Sequence, residues 1–133
     1  MKIYIDGGCT KPNQKDYSKR LMIAVVTDEN GTVLIEKTEQ SGSNNIAEIW
    51  ACYEALLWCK ENKIDGVLLL TDSKNAKTWI DGGQCSKHVN DPEKTQDLID
   101  KICQLRSEFH FGLAWIPREQ NLAGQYIENK YGY

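Results

Sequence analysis

At 133 residues the chain has the length of one ordinary domain, so residues 1–133 are expected to form a single unit. With 41% hydrophobic and 26% charged residues it is neither disordered nor dependent on disulfides or metal to stay folded. A net charge of −3 argues against a protein that coats nucleic acid through bulk positive charge. Binding through a local field stays open: Lys11, Lys15, Lys19 and Arg20 cluster early, and Lys74, Lys77 and Arg118 lie elsewhere, each by itself an ordinary surface charge.

Five cysteines (Cys9, Cys52, Cys59, Cys85 and Cys103) form no C-x-x-C pair and are odd in number, which suits free thiols in a reducing cytoplasm. His88 and His110 have no second ligand nearby in sequence and read as surface residues. The apolar run before Asp6 is only Ile3, Tyr4 and Ile5, far short of a signal-peptide core, and no apolar run approaches a membrane span.

In chain order, residues 2–5 are apolar-rich with β-branched Ile3 and Ile5 and predict a strand, broken by Asp6-Gly7-Gly8. Residues 11–19 are polar and predict a loop. Residues 21–27 and 32–38, joined by Asp28-Glu29-Asn30-Gly31, predict a β-hairpin. Ser43 or Asn44 caps a helix whose Ile46, Ile49, Trp50, Tyr53, Leu56 and Leu57 share one face, ending near Asn62.

Val67-Leu68-Leu69-Leu70 is a continuous apolar run, the mark of a strand covered on both faces. Asp72 or Ser73 then caps a short helix to about Ile80. Residues 81–92 predict a loop, 93–107 a helix, 109–116 a strand ended by Pro117, and 119–128 a last helix. A hairpin start followed by alternating units implies a mixed sheet flanked by helices, an α/β fold.

Three acidic residues occupy chemically suggestive places. Asp6 and Asp72 end strands, and Glu48 lies in the first turns of the main helix. Carboxylates at strand ends beside helix N-termini project into a shared cleft in sheets of this kind. Converging carboxylates repel one another unless a cation lies between them, and hard cations take oxygen ligands. The local alternatives are a turn or cap role for Asp6 and Asp72 and a solvated helix face for Glu48. The small neighbours of Glu48 at Cys52 and Ala55 argue against that exposed face.

Four local words then matter. Asp6-Gly7-Gly8-Cys9-Thr10, Asn44-Asn45-Ile46-Ala47-Glu48-Ile49, Leu70-Thr71-Asp72-Ser73-Lys74 and Trp115-Ile116-Pro117-Arg118-Glu119-Gln120-Asn121-Leu122-Ala123 resemble, in order and over nearly the whole chain, the motifs of ribonuclease HI-type proteins. The resemblance implies the ribonuclease H-like fold, a five-stranded mixed sheet of order 3-2-1-4-5 flanked by helices. It implies a metal-dependent endoribonuclease that cleaves the RNA strand of RNA–DNA hybrids with two Mg²⁺ or Mn²⁺ ions.

Carried over residue by residue, Asp6 would bridge both ions, and Glu48 and Asp72 would hold the leaving-group ion. Groups near Cys9, Asn44 and Asn45 would touch the hybrid's minor groove, where 2′-hydroxyls distinguish RNA from DNA. For Asn44 and Asn45 helix capping is the competing role. A monomer acting in the cytoplasm, with the hybrid as partner and no membrane, is expected.

Two departures stand out. The loop at 81–92 carries only Lys87 and lacks the basic, Trp-rich protrusion of some bacterial members, and the histidine-bearing loop before the last helix is replaced by Arg118-Glu119-Gln120. More consequentially, the family's fourth carboxylate falls at position 124, which here is Gly124. Two ions are then expected only if another group, such as Glu119 or Glu128, fills that place. The alternative is a hybrid or nucleic-acid binding module with weak or lost catalysis. A metal-binding scaffold is the third reading, since one fold hosts several functions.

Overall fold

The computed structural model describes residues 1–10, 20–40, 42–89 and 91–132. The expected loop at 11–19, with Lys11, Lys15 and Lys19, lies outside the described residues. Five strands form one sheet: β1 (Lys2–Thr10), β2 (Leu21–Thr27), β3 (Val33–Gln40), β4 (Val67–Thr71) and β5 (Phe111–Trp115). Their order is β3-β2-β1-β4-β5, with β1–β2 and β2–β3 antiparallel and β1–β4 and β4–β5 parallel. This is the mixed sheet that the motifs implied.

Four helices cover it: α1 (Asn44–Glu61), α2 (Lys74–Gly82), α3 (Pro92–Arg106) and α4 (Leu122–Tyr131). The period-2 alternation of β2 decides which helix packs where. Met22, Ala24 and Val26 join Ile3 and Ile5 of β1 in the large core under α1, α2 and α3. Ile23 and Val25 face the other way and pack against Ala123 and Ile127 of α4. α1 is buried on much of its circumference, including Glu54, whose carboxylate accepts from Lys37 Nζ at 2.9 Å and Trp50 Nε1 at 3.1 Å. Among the described residues no helix is long and apolar enough to cross a membrane, and no disulfide forms.

β1 is longer than its sequence suggests. Asp6, Gly7 and Gly8 do not break it; they pair with Val25, Ala24 and Ile23. The reason for glycine at position 7 is space. A Cβ there would lie 2.1 Å from the Ala47 carbonyl carbon, so only glycine lets the backbone of α1 approach the strand. Asp6 is therefore a mid-strand residue and not a strand-terminal one.

The last helix also differs from expectation. Residues 118–120 form a 3₁₀ turn, and α4 starts only after Asn121. β1 and β4 pair only over Lys2–Tyr4 with Leu68–Leu70. Beyond that they part, β1 continuing along β2 while β4 ends at Thr71, and a gap opens at the carboxyl end of β4 beside the middle of β1.

Candidate metal centre

Asp6 projects from β1 on the face that α4 covers, Asp72 follows the end of β4, and Glu48 reaches in from the second turn of α1. One ligand oxygen from each lies within 4.8 Å of the others, the arrangement expected for a shared cation. Asp6, Glu48 and Asp72 line a cleft of about 200 Å³ with Gly7, Gly8, Asn44 and Arg118. Glu48 is not on a solvated face. Its Oε2 accepts the Gly7 backbone N–H at 3.2 Å, a contact that the missing Cβ of Gly7 permits.

Convergence has an electrostatic cost. Burial, then the neighbouring charge of Asp72, pushes the Asp6 carboxyl up to about 7. Burial and the charges of Asp6 and Asp72 push Glu48 well above the usual carboxylate range. Burial raises Asp72 too, opposed by a hydrogen bond from Asn121 and by the Arg118 guanidinium. Contact between the Asp6 and Glu48 carboxyls lets them share a proton. A bound cation would do the same work more effectively, and the all-oxygen donor set suits a hard divalent ion.

The organising residue that the sequence did not single out is Asn121, which is fully buried. Its Nδ2 donates to the Ile5 carbonyl at 2.9 Å and to Asp72 Oδ2 at 3.1 Å. Its Oδ1 accepts the backbone N–H groups of Ala123 at 3.1 Å and Gly124 at 3.4 Å, capping α4. One amide thus ties β1, the end of β4 and the start of α4 together beside the carboxylates. In the sequence it stood only as one residue of the motif at residues 115–123, inside the helix expected over 119–128, with no role assigned. Nearby, Trp115 Nε1 donates to the Asp72 backbone carbonyl at 3.0 Å, and Lys74 Nζ sits 5.0 Å from the Trp115 ring centroid.

The other sequence candidates fall as follows. Ser43 is the N-cap of α1, accepting from the Ile46 N–H at 3.3 Å, so Asn44 and Asn45 are released from that task. Asn44 is exposed on the cleft wall, and Asn45 Oδ1 accepts from Asn75 Nδ2 at 3.4 Å. The Cys9 side chain is buried, its thiol 3.8 Å from the Gly42 carbonyl. Lys77 pairs with Asp81, and His88 and His110 are exposed, as expected. Glu119 and Glu128 are exposed and are not in the carboxylate cluster.

Position 124 faces the cluster directly. A Cβ added to Gly124 would lie 3.3 Å from Asp6 Oδ2 and 3.4 Å from Asp72 Oδ2. A side chain at position 124 would therefore face the three carboxylates, and among the described residues no further carboxylate joins them. The three carboxylates together fit a hard divalent cation.

Fold and cleft together define a ribonuclease H-type protein. A family model described as reverse transcriptase-like matches residues 5–129, and the chain belongs to that family. Among solved structures it is similar to RNase H1 from the halophilic archaeon Halobacterium salinarum NRC-1, with a TM-score of 0.71 and 19% identity over 95% of this chain and 92% of that one. It is also similar to the N-terminal RNase H domain of a Mycobacterium tuberculosis protein, with a TM-score of 0.69 and 24% identity over 96% and 95% of the two chains. LC11-RNase H1, solved in complex with an RNA/DNA hybrid, matches with a TM-score of 0.63 and 27% identity over 90% of this chain and 87% of that one. No curated protein matches the chain.

Proposed function

We propose that this protein is a metal-dependent endoribonuclease that cuts the RNA strand of RNA–DNA hybrids. The observation that carries the reading is the convergence of Asp6, Glu48 and Asp72 within 4.8 Å at the open end of parallel β1 and β4. A Mg²⁺ or Mn²⁺ ion there supplies Lewis acidity toward a phosphodiester and lowers the pKa of water. The protein's own part is positional. The three carboxylates would hold the ion, Asn121 fixes one oxygen of Asp72, and Gly7 brings the Glu48 helix close enough to join. Asn44, Asn45 and the backbone around Cys9 meet the minor groove, where the 2′-hydroxyl marks the RNA strand. The hybrid complex of LC11-RNase H1 supports this substrate class.

Gly124 favours a second reading, a hybrid-binding module without turnover, because the family's fourth carboxylate is absent. A gel assay with a labelled hybrid and Mg²⁺ or Mn²⁺ separates the two. Metal-dependent cleavage is expected. Tight hybrid binding without cleavage would move the conclusion to the second reading, and neither binding nor cleavage would overturn both.

A further inference from the structure

Four carboxylates are what two divalent ions require for neutrality, and this centre has three. We infer that the cleft holds a single divalent ion, with the Arg118 guanidinium standing as the second positive charge of the centre. The inference rests on the metal reading above and changes its stoichiometry.

Two independent observations point the same way. The first is steric and chemical. The start of α4 comes so close that the Cβ direction of residue 124 points between Asp6 Oδ2 and Asp72 Oδ2, at 3.3 and 3.4 Å. That position offers only hydrogen. Asp6, Glu48 and Asp72 are the only such group among the described residues, and Glu119 and Glu128 stay in solvent. A second ion would have to share the oxygens of the first and take everything else from water. In the substrate-free protein it would meet electrostatic repulsion from its neighbour with no added anion to offset it.

The second observation is the cation already present. Arg118 lines the same cleft and makes no ion pair at contact distance among the described residues. It shares the lining of that cleft with Asp6, Glu48 and Asp72. The 3₁₀ turn at residues 118–120, followed at once by the buried Asn121, anchors the backbone that carries it. Three carboxylates and one guanidinium leave two net negative charges, which one divalent ion neutralises. A guanidinium stays charged at every working pH, and Arg118 is exposed on the cleft rim, where water satisfies its remaining donors, so it persists where a second hydrated ion would not.

The test uses Mn²⁺ on the intact chain, followed by calorimetry and electron paramagnetic resonance. Wild type is expected to bind one Mn²⁺ per chain with the spectrum of an isolated ion. Gly124→Asp is expected to bind a second, with the broadened spectrum of two neighbouring ions. Arg118→Gln should bind the single ion roughly tenfold more tightly, because a like charge has been removed from its side. Arg118→Lys should match wild type. Two coupled ions in wild type, or an affinity unmoved by Arg118→Gln, would overturn the inference while leaving the metal reading intact. No Mn²⁺ binding by wild type would instead overturn the metal reading itself. The Arg118 variants keep the test decisive if Gly124→Asp fails to fold.

Discussion

Replacing Asp6 by asparagine should make the metal-free protein more stable at neutral and alkaline pH, not less. Asp6 has its carboxyl raised from 3.8 to about 7, first by burial and then by Asp72. A folded-state pKa above the unfolded one means that stability tied to this group is present below about pH 4. It is lost as pH rises through about 7. A shift of that size corresponds to roughly 4 kcal/mol at most. Asp6, Glu48 and Asp72 titrate together, so about 2 kcal/mol is the share expected from neutralising one of them. Asparagine keeps the shape and can donate to Glu48 or Asp72. For a chain of this length the gain corresponds to a melting rise of roughly 6–8 °C. The assay is thermal melting of both proteins with EDTA at pH 8 and pH 4. Asp6→Asn should melt higher at pH 8 and equally at pH 4. Adding Mn²⁺ at pH 8 should raise the wild type and leave the variant where it was. A variant that melts below wild type at pH 8 in EDTA would refute the picture of mutually repelling carboxylates.

Other outcomes follow from the same geometry. Gly124→Asp should lose stability in EDTA, because its Cβ already touches Asp6 and Asp72 oxygens and a fourth charge adds repulsion. It should recover in Mn²⁺ and cleave hybrid faster than wild type, in turnover more than in binding; melting curves and rates measured side by side check this. Asn121→Ala should cost about 2–3 kcal/mol in denaturant unfolding, since it uncaps α4 and leaves the Ile5 carbonyl unpaired, and should weaken Mn²⁺ binding through Asp72. Gly7→Ala should fail to fold or lose more than about 3 kcal/mol by the same measurement, with the Ala47 backbone 2.1 Å from the new Cβ. Hybrid binding should exceed binding to duplex DNA and depend weakly on salt, because the chain carries a net charge of −3 and has few cations to release counterions; a salt titration reads the slope.

Much of this architecture is legible without coordinates, and the reasons are physical. The alternation and turn residues of the hairpin and the helical periodicity of residues 46–57 each fit one element, and the apolar run at residues 67–70 is too short for a buried helix and long enough for a buried strand. The carboxylates were legible because each sits in a local word and the words keep their order. What stayed hidden was tertiary. Gly7 and Gly8 read as breakers because glycine marks both turns and close approaches, and the approach of Ala47 is invisible in the chain. Asn121 is one residue of the last motif, without a visible task, until the fold brings it Ile5 and Asp72, which lie 116 and 49 positions away in the chain. Glu128 shares a helical face with Gly124 in sequence, yet it lies in solvent because α4 presents Ala123, Gly124 and Ile127 to the interior.

The most direct test of the central claim is strand-specific cleavage. A hybrid labelled on its RNA strand and a second labelled on its DNA strand are incubated with wild type and Asp6→Asn across a Mn²⁺ titration. Wild type should cut only the RNA strand, at a rate that rises and saturates with Mn²⁺, and Asp6→Asn should leave both strands whole. Cleavage that ignores Mn²⁺, or that survives in Asp6→Asn, would contradict the assignment of the Asp6, Glu48 and Asp72 cleft as the centre of the reaction.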